Sequence, residues 1–206
     1  MARRGLFVVF EGADGSGKST ALAAVAEGLR QAHQTVTTTR EPGGTPIAEK
    51  IRDLCLSEGL SEAGAWTQLM LMTAARLDHA SALIEPRLEA GEIVLCDRYI
   101  DSTMVYQGRL GGLNLSKIEA LYAQLPLPQP DLRLFLELDA QTAWSRLQAR
   151  TDNNHMDASS QVRWQQVATA YAKQFAAQPA KLVRIDAAAS PEQVASACLT
   201  AILSHV

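Results

Sequence analysis

The apolar and polar residues of the chain follow two alternating periods. Short runs rich in β-branched and apolar residues predict strands. The longer stretches between them, where apolar residues recur every three or four positions, predict helices. The predicted strands are residues 6–10, 35–40, 92–97, 132–138 and 182–186. The predicted helices are residues 18–31, 46–57, 62–89, 116–125, 140–149, 160–177 and 191–204.

This alternation of strands and helices predicts the fold class. It is typical of an α/β protein in which a five-stranded parallel sheet is flanked by helices. The length of 206 residues fits one domain, so we expect a single domain over residues 1–206.

Two predicted helices carry recognisable start signals. Ser116 with Glu119 fits a capping box. Ser190 before Pro191, with Gln193 three residues on, supplies an N-cap, a first-turn proline and a partner for the cap. We therefore expect these serines to cap their helices.

The long helix predicted over residues 62–89 is apolar on more than one face. One stripe at helical spacing predicts the core-facing side, with Trp66, Met70, Thr73, Leu77 and Ile84. The rest of its first half is also mostly apolar, and a helix that is apolar nearly all round usually has two buried faces. Two interpretations stay open: a homodimer contact through this helix, or a helix buried within its own domain.

Residues 12–19, GADGSGKS, match the pattern G-x-x-x-x-G-K-[ST] between a predicted strand and a predicted helix. In such a loop, backbone N–H groups at a helix N-terminus hold phosphate oxygens. Lys18 would reach the terminal phosphates of ATP, and Ser19 would hold Mg²⁺ together with Asp97 at the end of the strand IVLCD. The residues predicted to bind ATP are Gly12, Ala13, Asp14, Gly15, Ser16, Gly17, Lys18, Ser19 and Thr20.

Composition narrows the range of partners and compartments. With 19 Lys and Arg against 22 Asp and Glu, the net charge of −3 disfavours binding to nucleic acid or to an anionic membrane. Cys55, Cys96 and Cys198 are odd in number and widely spaced, which predicts reduced, mostly buried thiols and a cytoplasmic protein. The N-terminal apolar run stops at Glu11, too short for a signal peptide or a membrane span.

The arginines favour phosphoryl transfer over simple hydrolysis. The chain has no guanine-reading N-K-x-D motif and no LSGGQ-type signature, which disfavours a GTPase and a transporter ATPase. Transfer onto a phosphate acceptor brings two polyanions together, and the arginine fork can neutralise them while staying charged. The arginines at strand ends, in loops or on nearby helices are Arg40, Arg76, Arg98, Arg109, Arg146 and Arg150.

Several motifs together resemble those of the bacterial thymidylate kinase family, nearly from end to end. They are FEGADGSGKST (10–20), TREPGGTPIAEKIR (39–52), AARLDH (74–79), DRYIDSTMVYQG (97–108), a short polar loop near 150–157, and IDA (185–187). The resemblance implies transfer of the γ-phosphoryl group of ATP to dTMP, giving dTDP and ADP, with Mg²⁺ as cofactor. It also implies the fold of the P-loop nucleotide kinases.

Position by position, the resemblance implies roles toward the phosphate and sugar of dTMP. Arg40 would bind the phosphate, and Arg98 would clamp it beside Mg²⁺. Asp14 would face the deoxyribose 3′-hydroxyl. Tyr106 would close the space beside the sugar 2′ carbon and so disfavour ribonucleotides. The residues implied to act in catalysis are Lys18, Arg98, Arg150 and Asp14.

Other positions are implied to contact the base. Arg76 would hydrogen-bond the thymine edge, while Ser102 and Gln107 would face the ring. Relatives commonly stack thymine on a phenylalanine one helical turn before the arginine, where this chain has Met72. Its thioether would contact the base instead.

The resemblance further implies a mobile lid at about 150–160. The phosphate loop lacks arginine, so the lid would supply it, through Arg150 alone or with help from Arg146 and Arg109. His155 stands where an arginine would align. Adenine would lie between the start of the lid and residues 187–189, with Arg146 or Arg150 stacked on its face.

Two other functions remain open at this point. A deoxynucleoside kinase of related fold would need a carboxylate base after the first strand, and Glu11 or Asp14 could serve. A regulatory module that binds nucleotide without turnover would need none of the catalytic residues. The residues that argue against that module are Lys18, Ser19, Asp97 and Arg98.

Overall fold

The computed structural model of the protein describes residues 4–57, 60, 63–148, 161–176 and 181–205. Within these residues, five strands form one parallel sheet in the order β2-β3-β1-β4-β5. The predicted parallel sheet is confirmed, and every strand begins within one residue of its predicted start. The strands are β1 (Phe7–Glu11), β2 (Val36–Arg40), β3 (Ile93–Asp97), β4 (Leu132–Glu137) and β5 (Leu182–Asp186).

Helices connect the strands and cover the sheet. In the described part of the chain, no helix is long and apolar enough to cross a membrane. The α-helices are α1 (Lys18–Gln31), α2 (Pro46–Leu56), α3 (Ala65–His79), α4 (Glu85–Glu89), α5 (Ile100–Thr103), α6 (Leu115–Tyr122), α7 (Ala140–Gln148), α8 (Gln161–Ala176) and α9 (Pro191–Leu203). Two π-helical segments, Ala80–Ile84 and Met104–Leu110, continue α3 and α5.

The central strands β1, β3 and β4 are buried on both faces, whereas the edge strands β2 and β5 are partly exposed. Successive side chains of β1 point to opposite sides: Phe10 joins the core formed with α1 and α9, whereas Val9 packs with Ile84 and Leu88 on the other side. Strands buried on both faces are expected to be almost continuously apolar. This is why the central strands stood out in the sequence, while β2 was marked by its β-branched residues.

The strand order brings the functional loops to one edge. Asp97 at the end of β3 is in register with Arg40 of β2 on one side and with Phe10 of β1 on the other. The loops that follow these strands therefore meet at the carboxyl end of the sheet, where open α/β sheets bind their ligands.

The long helical stretch corrects one prediction. Trp66 and Met70, expected in the core, are 46% and 45% exposed. Thr73 and Ile84 of the same predicted stripe are buried, as is Leu69, which was not in the stripe. One residue along a helix is a rotation of about 100°. Because Leu69 packs toward the segment after α5 and toward α6, Trp66 and Met70 turn to the outside.

Two local signals also differ from the prediction. Asn114, whose side chain accepts from the backbone N–H of Ser116, caps α6, so the capping box expected at Ser116 is wrong. The box at Ser190 and Gln193 is confirmed. Helix α5 and its π-helical continuation were not predicted, because residues 100–110 mix β-branched, aromatic and glycine residues without helical periodicity.

Candidate active site

The loop between β1 and α1 has the backbone that its sequence predicts. Gly17, the N-cap of α1, lies in the left-handed region with a φ of 85°. Gly12 has a φ of 149°, and a Cβ atom there would come within 2.7 Å of the carbonyl oxygen of Leu136. Glycine is the residue that tolerates both conditions. The loop therefore ends with the N-terminus of α1 facing the carboxyl edge of the sheet, as a phosphate site requires.

Lys18 is buried inside this loop. Its Nζ donates to the carbonyl oxygens of Gly12 at 2.9 Å and Ala13 at 3.0 Å. Burial and the neighbouring guanidinium of Arg98 lower the pKa of Lys18. The ammonium group is held by two neutral carbonyl oxygens, and its ionic partner Asp14 is 3.9 Å away, which leaves it suited to bind a closer anion.

The residues predicted to hold a metal ion are adjacent. Ser19 Oγ donates to Asp97 Oδ2 at 2.7 Å. Among the described residues, the buried Oδ1 of Asp97 and the buried hydroxyl of Ser16 have no hydrogen-bond partner. A buried polar atom without a partner is costly. These oxygens are therefore suited to a ligand from outside the chain.

Asp14 and Arg98 form an ion pair beside the phosphate loop. Arg98 Nη2 donates to Asp14 Oδ1, Lys18 Nζ lies 3.9 Å from the same oxygen, and the hydroxyl of Tyr106 lies 3.4 Å from Oδ2. Burial raises the pKa of Asp14, but Arg98 and Lys18 outweigh it and lower the pKa to about 2. Asp14 is therefore a carboxylate at neutral pH.

These groups line a polar pocket of about 190 Å³. It brings together the phosphate loop, the end of β3 and the loop after β2, so residues far apart in sequence share one small space. Its lining consists of Asp14, Gly15, Gly17, Lys18, Ser19, Arg40, Glu41, Arg52, Asp97 and Arg98.

Arg52 is a pocket residue that sequence reasoning missed. It lies on α2, and its Nη1 donates to the carbonyl oxygen of Pro42 at 2.8 Å. Burial and the positive charge of the nearby Arg40 lower the pKa of Arg52, and Glu49 partly offsets them. The available signal was helical spacing: Arg52 is three residues after Glu49, which binds Arg40 at 2.9 Å.

A wider cleft lies elsewhere, between the end of β4 and α8. It has a volume of about 580 Å³, and its charged lining residues are Glu137 and Asp139. Acidic groups repel phosphates, so the pocket beside Lys18 is the better site for a nucleotide phosphate.

Comparison with known proteins agrees with this geometry. The family model for thymidylate kinase matches residues 10–198. The chain belongs to the thymidylate kinase family. It is 43% identical to a thymidylate kinase of Pseudomonas fluorescens, over 92% of this chain and 91% of the relative. It is 40% identical to one of Paracidovorax citrulli, over 98% and 94%. The crystal structure of a thymidylate kinase from Ehrlichia chaffeensis superposes with a TM-score of 0.75 at 27% identity, covering 97% of this chain and 99% of that one.

In this thymidylate kinase family member, Arg76 lies in a buried polar network beneath the pocket. Its Nε donates to Glu41 at 2.6 Å, Nη1 to Thr103 and Tyr122, and Nη2 to the carbonyl oxygen of Tyr99 at 3.0 Å. These bonds fix the guanidinium next to the pocket residue Glu41. Contact with the thymine edge stays a prediction.

The other residues expected at the base lie on α3, α5 and the π-helical segment after α5. Met72, one turn before Arg76, is half-buried. Gln107 is buried. Tyr106, expected beside the sugar, is the residue before it and has Arg98 over its ring at 5.3 Å. Ser102 is also buried, and its hydroxyl donates to Glu11 at 2.8 Å, so it acts within the protein interior.

Arg146 and Arg109 bind different parts of the chain. Arg146 Nη1 donates to the carbonyl oxygen of Ala187 at 2.7 Å, beside the loop where adenine was expected. Arg109 Nη2 donates to Gln174 Oε1 at 3.2 Å, and Arg109 is absent from the lining of the phosphate pocket. Arg150, His155 and the expected lid at 150–160 lie outside the described residues.

Proposed function

We propose that this chain transfers the γ-phosphoryl group of ATP to the phosphate of dTMP, giving dTDP and ADP. The observation that carries the proposal is the pocket in which Arg40, Arg52 and Arg98 face Lys18 of the phosphate loop. An uncharged acceptor would not need three guanidinium groups, whereas two polyanions brought together do. Family membership agrees with this acceptor.

The residues that bind ATP in this proposed function are 12–20 and Arg146. Backbone N–H groups of the loop and the first turn of α1 hold the phosphates. Lys18 exchanges the carbonyl oxygens of Gly12 and Ala13 for phosphate oxygens, which form the stronger, charge-assisted bonds. Arg146, already beside Ala187, stacks on adenine.

For dTMP, Arg40, Arg52 and Arg98 bind the phosphate, and Asp14 faces the 3′-hydroxyl. Arg98 now donates to Asp14, so a phosphate has to replace that contact. The hydroxyl of Tyr106 lies 3.4 Å from Asp14 Oδ2. Tyr106 is therefore placed to contact the adjacent 2′ carbon of the sugar and to exclude a ribonucleotide. The residues that contact or support the base are Met72, Arg76, Ser102 and Gln107.

The residues fit a magnesium ion. Mg²⁺ prefers oxygen ligands and usually binds through one or two carboxylates together with substrate phosphates and water. Ser19 and Asp97, with the unpartnered Oδ1 of Asp97, offer such a set. Bound there, Mg²⁺ would supply positive charge that offsets the charge of the phosphates during transfer.

The protein supplies position and positive charge, because a phosphate acceptor is largely ionised at neutral pH and needs no strong base. A deoxynucleoside kinase would need one. Glu11 is fully buried and absent from the lining of the pocket, and Asp14 is ion-paired to Arg98. Both observations disfavour the nucleoside kinase.

We also propose that the chain forms a homodimer through α3 and the adjacent α2. Ile47 and Leu54 on α2, with Trp66 and Met70 on the adjacent α3, are about half exposed. Large apolar side chains grouped on two neighbouring helices favour a contact between copies of the chain. The cytoplasm is the compartment we propose, since Cys96 and Cys198 are free and buried.

The first test is ADP release with dTMP, dUMP, UMP, dCMP and thymidine as separate acceptors, in the presence of ATP and Mg²⁺. We expect turnover with dTMP and weaker turnover with dUMP. Turnover with thymidine alone would establish a nucleoside kinase. Silence with all five acceptors, together with ATP binding, would establish a regulatory module.

A further inference from the structure

Glu11 is a buried carboxylate that none of the proposed chemistry uses. It is the last residue of β1, directly before the phosphate loop, and its side chain is 0% exposed. Its Oε1 accepts the backbone N–H groups of Tyr99 at 2.8 Å and Ser102 at 3.2 Å. The carboxylate thus holds the turn that follows Arg98.

That turn carries an unusual backbone. Arg98 has a φ of 72°, a left-handed conformation that residues with side chains seldom adopt. Its own N–H bonds the carbonyl oxygen of Phe10 at 2.9 Å, next to Glu11 in the chain. Such a conformation persists where surrounding contacts enforce it, and the end of β1 supplies those contacts.

The second carboxylate oxygen of Glu11 accepts hydrogen bonds from two hydroxyl groups. Oε2 accepts from Ser102 Oγ at 2.8 Å and from Tyr171 Oη at 3.2 Å. Both hydroxyl oxygens in turn accept from Arg98 Nη1, at 3.1 Å and 2.8 Å. The two hydroxyls also lie 2.8 Å from each other.

A hydroxyl group has one proton to donate. Ser102 gives its proton to Glu11, and Tyr171 gives its proton to Glu11 or to Ser102. In either arrangement the protons point away from Arg98, and both oxygens present lone pairs to its guanidinium. A carboxylate only accepts, so it imposes this direction when Glu11 is ionised. Burial raises the pKa of Glu11 to about 7, and the KM values below are therefore compared at pH 8.

We propose that Glu11 is a positioning residue for the dTMP phosphate: through Ser102 and Tyr171 it orients the guanidinium of Arg98 toward the pocket. The inference rests on the proposed function, because it assumes that Arg98 binds that phosphate. Glu11 itself does not touch substrate, since its oxygens are taken by Tyr99, Ser102 and Tyr171 and it is absent from the pocket lining.

The sharpest test is Glu11→Gln. The amide oxygen keeps the bonds from the backbone N–H groups of Tyr99 and Ser102, so the turn survives. The amide nitrogen donates where Oε2 accepted, which forces the hydroxyls to reverse and weakens their bonds to Arg98. Because bonds to charged groups contribute more than neutral ones, we expect KM for dTMP to rise roughly tenfold to a hundredfold, with KM for ATP within about twofold.

Glu92→Gln is the matched control. Glu92 also accepts from a hydroxyl and a guanidinium, Thr37 at 2.5 Å and Arg87 at 3.1 Å, but it lies at the opposite, amino-terminal edge of the sheet. We expect its KM for dTMP to equal that of the wild type. A rise as large as in Glu11→Gln would overturn the inference.

Tyr171→Phe tests the chain of hydrogen bonds from Glu11 through Tyr171 to Arg98. Its result does not depend on how well Glu11→Gln folds. It removes one acceptor of Arg98, and we expect KM for dTMP to rise about threefold to tenfold. In the double variant the two effects should be less than additive, because both act through the same bonds. An unchanged KM in Tyr171→Phe, or strict additivity, would overturn the inference.

Activity of the wild type with dTMP distinguishes failure of the proposed function from failure of the proposed role of Glu11. If it does not phosphorylate dTMP, the proposed function fails. If it does and Glu11→Gln keeps a wild-type KM for dTMP, only the positioning role of Glu11 fails.

Discussion

Ser19 and Asp97, 78 positions apart in the sequence, share a hydrogen bond of 2.7 Å at the mouth of the phosphate loop. The bond joins the first turn of α1 to the end of β3, and it leaves Oδ1 of Asp97 without a partner among the described residues. This pair is the basis of the first prediction.

Asp97→Asn should weaken the use of magnesium. Loss of the carboxylate removes the strongest oxygen ligand of the pair, and metal ions supply several kcal/mol of charge stabilisation. We therefore expect kcat to fall about a hundredfold or more, with a raised Mg²⁺ requirement in a titration. EDTA should abolish turnover of the wild type and added Mg²⁺ should restore it. An unchanged Mg²⁺ dependence in Asp97→Asn would exclude this ligand.

Arg52→Ala should raise KM for dTMP. Arg52 lines the pocket beside Arg40, and a bond from a guanidinium to phosphate is charge-assisted. We expect a rise of about tenfold, and only partial recovery in Arg52→Lys, which keeps the charge and loses the fork. Arg30→Ala, on the exposed side of α1, is the control and should behave as wild type. Equal KM values for the Arg52 and Arg30 variants would remove Arg52 from the site.

Glu11 should make stability depend on pH. Burial raises the pKa of Glu11 from 4.5 to about 7, and the nearby Asp101 adds to the rise, while Arg98 lowers it. Between those values the folded protein binds a proton that the unfolded chain has lost, so this group's contribution to stability is greatest below pH 4.5 and falls as pH rises to 7. The loss is of order 3 kcal/mol.

Urea unfolding of wild type and Glu11→Gln at several pH values measures this. The variant cannot titrate at this position, so its stability relative to wild type should increase between pH 5 and about pH 8. Parallel stability curves would show that Glu11 does not titrate in this range. The charged groups facing Glu11 are Lys18, Arg98 and Asp101, and all are retained in the variant.

Met70→Lys should dissociate the proposed dimer. A charge in the centre of an apolar contact has to be buried without a partner, which is costly. Sedimentation velocity should give a monomer for this variant and a dimer for the wild type. Leu203→Lys, at a comparably exposed apolar residue on α9, should remain dimeric. A wild-type monomer would refute the contact.

Arg150→Ala tests the arginine that the resemblance places in the lid. An arginine that stabilises the transferring phosphoryl group contributes roughly 10³ to 10⁵ in rate. We expect a loss of kcat in that range with little change in KM. Turnover within a few-fold of wild type would show that Arg150 does not act in transfer.

The sequence by itself determined the sheet and the phosphate loop. The central strands, buried on both faces, are mostly apolar. A loop that wraps phosphate needs Gly12 and Gly17 where other residues would be strained or would clash. Both constraints act on neighbouring residues, so they leave a local record in the chain.

Only the tertiary structure decided which side chains meet. Arg52 faces the pocket because α2 lies against the loop after β2, and Glu11 reaches Tyr171 across 160 positions of sequence. Trp66 and Met70 are exposed because packing of α3 on its neighbours buries Leu69 beside Thr73 and turns the start of the predicted stripe outward. A helix turns about 100° per residue, so orientation depends on contacts between distant elements, and those contacts leave no local pattern to read.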